Sequence, residues 1–108
     1  MPSNEWVQLV AVTDFPPGQG RFVEVRGHGL AVFHLSNPDR FVVTANGCPH
    51  AGGNLAAGPI AGETVTCPWH HWTFNLETGR CTSAEHIVIR RYESRVEDGY
   101  LYARLVGS

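Results

Sequence analysis

Two short boxes hold the residues of this chain best suited to chemistry: Cys48-Pro49-His50 and, after sixteen intervening residues, Cys67-Pro68-Trp69-His70. Each pairs a thiol with an imidazole beside a proline that favours a tight loop. Four soft or borderline ligands in two loops imply a metal site. Two cysteines with two histidines fit a [2Fe–2S] cluster in which imidazoles replace two thiolates on one iron. With four thiolates, an oxidised cluster of this kind carries two negative formal charges, and neutral imidazoles remove both. Adding an electron becomes easier, and the potential rises to roughly −150 to +300 mV, from about −400 mV in an all-cysteine plant-type cluster. The C-x-H and C-x-x-H boxes can each give one ligand to each iron. Imidazoles at the loop tips would offer the electron a short exit to solvent or a partner.

Other readings of the same residues stay open. Cys₂His₂ is also a zinc set, but zinc sites usually present C-x₂₋₄-C and H-x₃₋₅-H pairs, whereas each box here mixes the two residue types. A disulfide between Cys48 and Cys67 would leave the neighbouring histidines and matching prolines without a reason. Three cysteines cannot all pair within one chain, and Cys81, with no histidine or proline box around it, reads as a small apolar packing residue. His28 in a glycine turn, His34 in an apolar strand and His86 near a strand start read as structural or exposed. Gly52, Gly53 and Gly58 either admit backbone amides to the sulfurs or supply loop flexibility. Trp69 and Trp72 either pack around the centre or form part of a docking face.

The elements that must position the boxes are strands. Trp6 to Val12 is β-branched and roughly alternating until Asp14-Phe15-Pro16-Pro17-Gly18 breaks it. Arg21 to Arg26 alternates apolar with charged residues, Gly27-His28-Gly29 reads as a turn, and Leu30 to Leu35 resumes an apolar strand. Asn37-Pro38-Asp39 signals another turn before Phe41-Val42-Val43-Thr44. Residues 46–60 are poor in β-formers and read as loop. Thr64-Val65-Thr66 delivers Cys67 from a strand end, Trp72-Thr73-Phe74 leads away, and Glu77-Thr78-Gly79 turns again. Ile87 to Val96 and Tyr100 to Leu105 form a hairpin closed by Glu97-Asp98-Gly99. The expected class is all-β, with no helical period beyond two turns.

Composition narrows the function classes. The chain has 108 residues, enough for one domain and one core, and 43% of them are hydrophobic. A net charge of −2 with scattered basic residues gives no electrostatic grip on nucleic acid. An absent apolar run of membrane-spanning length, and an N-terminus unlike a signal peptide, make a cytoplasmic protein with no membrane partner the simplest expectation. A serine or cysteine nucleophile box and a glycine-rich nucleotide loop are also missing, which argues against independent catalysis.

The stretches Cys48-Pro49-His50-Ala51-Gly52-Gly53-Asn54-Leu55 and Cys67-Pro68-Trp69-His70-His71-Trp72-Thr73-Phe74-Asn75-Leu76-Glu77-Thr78-Gly79 resemble the two cluster boxes of the Rieske ferredoxins. The resemblance runs over almost the whole chain. It implies one Rieske domain over residues 1–108, with a three-sheet antiparallel β fold and a cluster-binding subdomain at about 46–80. It implies one [2Fe–2S] cluster, its inner iron bound by Cys48 and Cys67 and its outer, solvent-facing iron by His50 and His70. Respiratory-complex members carry an extra cysteine in each box, where this chain has Gly53 and Trp69. They also place a serine and a tyrosine, hydroxyl donors to the cluster sulfurs, where this chain has Trp72 and Phe74. The resemblance therefore implies the low-potential branch. His71 stands where the family usually has glycine, and 80–88 lacks the proline of the loop that often covers the cluster.

The leading expectation is a soluble ferredoxin that passes single electrons from a flavin-dependent reductase to a terminal oxygenase. One alternative is a permanent small subunit of a larger reductase, such as assimilatory nitrite reductase. Another is a redox-sensing or structural metal domain.

Overall fold

The structure is a computed structural model and describes residues 6–36, 39–46, 55–67, 72–82 and 87–105. Among the described residues, nine strands make up two antiparallel sheets. The larger contains β1 (Trp6–Ala11), β2 (Gln19–Val25), β3 (His28–Leu35), β4 (Arg40–Ala45), β8 (Arg91–Glu97) and β9 (Tyr100–Arg104), in the order β1-β9-β8-β4-β3-β2. It consists of two three-stranded groups joined by two residue pairs, Val43 with Tyr92 and Thr44 with Arg91. The smaller sheet has the order β5 (Ile60–Ala61), β6 (Thr64–Thr66) and β7 (Thr73–Asn75). Two groups joined at a narrow seam, plus the small sheet, make the expected three-sheet antiparallel architecture. Helix among the described residues is limited to the 3₁₀ turns Val12–Asp14 and Leu55–Ala57.

β3 explains why the sheet has two cores. Every residue from Leu30 to Leu35 is buried, and a continuous apolar run suits a strand covered on both faces. On one face Leu30 and Val32 join Phe15, Val43, Leu101 and Ala103. On the other, Ala31, Phe33 and Leu35 join Leu55, Val65, Cys67, Phe74, Leu76, Cys81 and Ile89. The small sheet therefore has no core of its own; it shares one with the large sheet. His34, as expected, is structural: its Nδ1–H donates to the Phe15 carbonyl at 2.6 Å, and its ring stacks on Phe41 with centroids 4.3 Å apart.

Several boundaries differ from the sequence reading. The turn expected at Gly27-His28-Gly29 lies one step earlier. Arg26 and Gly27 both have positive φ, and Val25 pairs with His28, so His28 and Gly29 are already in β3. Both central residues at positive φ make a type I′ hairpin turn, the form whose twist matches the flanking strands. Asp98-Gly99 closes the β8–β9 hairpin in the same way, as expected. The 46–60 region contains the 3₁₀ turn at Leu55–Ala57, and its last residue opens β5. Trp72 precedes β7 rather than starting it, and β8 begins at Arg91 instead of Ile87.

Candidate metal centre

Cys67 follows the end of β6, and its backbone N–H donates to the Trp72 carbonyl at 2.6 Å. That bond joins the two described residues that flank 68–71. One step below, Thr66 pairs with Thr73, and their hydroxyls lie 3.1 Å apart. Cys67 is fully buried, its thiol is free, and its neighbours are the apolar side chains of the shared core. Cys81 is also free and fully buried, in an antiparallel bridge with Phe74 and with its N–H bonded to the Ile87 carbonyl. It packs as the sequence suggested.

The first box lies between Asn46, after the end of β4, and the 3₁₀ turn. Asn46 closes the base of this loop twice: its carbonyl accepts the Leu55 N–H at 3.0 Å, and its Oδ1 accepts the Ala56 N–H at 2.9 Å. Gly58 then packs against β6, the strand just before Cys67. A Cβ at Gly58 would lie 2.0 Å from the Thr66 carbonyl oxygen, closer than any side chain allows. Of the two readings offered for Gly58, neither describes this role, which is close packing of backbone on backbone. Gly20 does the same beneath the turn, where a Cβ would meet the Ala56 oxygen at 2.6 Å. The described residues after the first box and before the second are thus linked by one short chain of contacts.

Cys48, His50, His70 and His71 lie outside the described residues, as do Trp69, His86, Gly52 and Gly53. The structure therefore places one of the four expected ligands, Cys67, and the anchors of both loops. Trp72 is half-buried against the core that contains Cys67, and Phe74 is completely buried in it. Phe74 has no hydroxyl and Trp72 offers one indole N–H, so neither supplies the O–H donors described above. Gly79 to Thr82 runs beside β7, with Thr82 N–H bonded to the Thr73 carbonyl, and the chain returns through the Arg80–Val88 bridge. Thr82, which borders residues 83–86, is therefore at the Cys67 end of the small sheet.

The opposite end of the small sheet is held by charge. The Arg40 guanidinium, at the start of β4, bonds Glu77 through Nε and lies 3.8 Å from Glu63 through a terminal nitrogen. Asn75 Nδ2 reaches Glu63 at 3.4 Å. These groups are partly exposed, so each pair contributes at most about 1 kcal/mol. Sequence reasoning missed Arg40, Asn46 and the role of Gly58.

Cys67, a buried free thiol just past a strand end, fits one ligand of a metal–sulfur centre. A family model described as the Rieske [2Fe-2S] domain matches residues 5–93. Ferredoxin CarAc of Metapseudomonas resinovorans is 32% identical over 99 residues, which cover 90% of this chain and 91% of that protein. The cholesterol 7-desaturase nvd of Hemicentrotus pulcherrimus is 35% identical over 79 residues, but the chain spans only 17% of its length. Among solved structures, a chain from a complex of reduced oxygenase and oxidized ferredoxin in carbazole 1,9a-dioxygenase superimposes with a TM-score of 0.84. It is 28% identical, with 95% of both chains covered. A chain from Mycobacterium tuberculosis described as an NADH-dependent nitrite reductase small subunit gives a TM-score of 0.88 over 97% of this chain and 98% of its own. At 22% identity it shows the shared fold alone. With the family match extending over most of its length, this chain belongs to the Rieske [2Fe-2S] domain family, and its cofactor is one Rieske-type [2Fe–2S] cluster.

Proposed function

We propose that this protein is a low-potential Rieske ferredoxin that carries single electrons from a flavin-dependent reductase to a terminal oxygenase and performs no catalysis alone. Residues 1–108 form one domain in this reading, with a cluster-binding subdomain at about 46–80. Cys48 and Cys67 hold the inner iron, and His50 and His70 hold the outer one. When bound, the cluster supplies reversible uptake of one electron.

The chain's own residues supply the rest. Cys67, backed by the shared apolar core, keeps water from the inner side of the site. The Cys67–Trp72 and Asn46–Ala56 hydrogen bonds hold the two ligand loops in register, so that gain or loss of an electron needs little rearrangement. In this reading the two histidines take the side of the cluster that meets a partner. A place in the cytoplasm is consistent with this role. Among the described residues no helix is long and apolar enough to cross a membrane.

The observation that carries this reading is the alignment with the ferredoxin from M. resinovorans along nearly the whole of both chains. The desaturase match, by contrast, is confined to a small part of that protein. The test is anaerobic reduction of the purified protein by NADH and a flavin-containing ferredoxin reductase, followed by mixing with a terminal oxygenase component. One electron taken up per chain and passed to the oxygenase is the expected result. Gel filtration of native extract separates the alternative of a reductase subunit: a carrier elutes alone, and a subunit co-elutes with its enzyme.

A further inference from the structure

We propose that Asn46 is a positioning residue for the cluster: it closes the base of the segment that carries Cys48 and His50, next to the 55–59 stretch that packs on β6 just before Cys67. The inference rests on reading Cys48 and His50 as ligands.

Asn46 is bonded in three directions. Its N–H donates to the Gly29 carbonyl at 3.0 Å, which fixes it to the start of β3. Its carbonyl receives the Leu55 N–H and its Oδ1 the Ala56 N–H, so one residue satisfies two successive amides across residues 47–54. Asparagine suits this task because its side-chain carbonyl, on a short stem, mimics a backbone carbonyl. Leu55 is completely buried and Ala56 nearly so, which makes an unpaired amide costly there. From Ala56 the chain goes straight to Gly58, packed on the Thr66 carbonyl, and Thr66 precedes Cys67. Thr66 N–H in turn donates to the Pro59 carbonyl at 3.0 Å. An unbroken run of close contacts therefore leads from the base of the first loop to the cysteine of the second.

Asn75 provides a matched control. Its Oδ1 accepts the Glu77 and Thr78 amides at 2.8 and 3.2 Å, the same chemistry at the end of the small sheet away from Cys67. The experiment compares Asn46→Ala, Asn46→Asp and Asn75→Ala holoproteins. The readouts are the rate of iron release to a ferrous chelator, the linewidth of the electron paramagnetic resonance spectrum of the reduced protein, and the urea midpoint. Asn46→Ala should release iron roughly two- to tenfold faster than wild type, the effect of one net hydrogen bond, and should show broadened lines. Asn46→Asp keeps an acceptor for Ala56 N–H and should restore both towards wild type. Asn75→Ala should lower the urea midpoint with wild-type release and linewidth. Wild-type release from Asn46→Ala, or equal acceleration by Asn75→Ala, overturns the proposal. The ligand reading fails separately: a His50→Ala protein that keeps the wild-type spectrum overturns both.

Discussion

Cys67 and Cys81 are equally buried, but Cys67 stands just past the end of β6. Cys81 lies on a paired segment, surrounded by apolar side chains. Cys81→Ala should therefore keep full iron content and lose about 1 kcal/mol of stability, measured by urea titration. Serine is the poorer test, since its hydroxyl would be buried where the thiol made no demand for a partner. Cys48→Ala, His50→Ala, Cys67→Ala and His70→Ala should each lose the cluster. Iron retained by His70→Ala would shift attention to His71. The absence of hydroxyls at Trp72 and Phe74 predicts a midpoint in the lower Rieske range, around −150 mV or somewhat above. A midpoint near about +300 mV by protein-film voltammetry would contradict it. At this scale the sequence was most informative about the cofactor, because residue types and their spacing are local. Asn46 was not legible, since the value of its side chain depends on an amide ten residues away.

Hairpin turns are decided by backbone twist, and two of them compare directly. Asp98-Gly99 announces itself, because aspartate and glycine both tolerate positive φ. Arg26-Gly27 adopts the same form with a residue that does not, at φ 54°. The glycine at position 29 drew the expected turn too far along the chain. Arg26→Asn should therefore stabilise the protein by about 1 kcal/mol, seen as a raised urea midpoint. A midpoint unchanged or lowered would mean that the arginine side chain contributes more than its backbone costs. Gly58→Ala should have the opposite effect, a loss of about 1 to 3 kcal/mol with faster iron release, because backbone and not a flexible side chain blocks the new methyl. The 3₁₀ turn at Leu55–Ala57 was not legible, since three residues carry no periodic signal.

For the molecule as a whole, the important feature is a core shared between the large sheet and the small one. Phe74 is completely buried there among residues from both sheets. Phe74→Ala should cost about 3 to 5 kcal/mol and reduce iron occupancy as well, because the same packing supports Cys67. The strand meander was readable from alternation and turn residues, whereas the sharing of one core was not. Alternation says which face of a strand is buried but not against which sheet. The central claim, a [2Fe–2S] cluster held on one iron by two histidines, is tested most directly by pulsed electron paramagnetic resonance of the reduced holoprotein grown with nitrogen-15-labelled histidine. Two strongly coupled histidine nitrogens are the predicted result, each lost in turn in His50→Ala and His70→Ala samples that retain any cluster. A reduced spectrum with no directly bound nitrogen, or a colourless protein holding one zinc per chain after anaerobic preparation, would contradict the account.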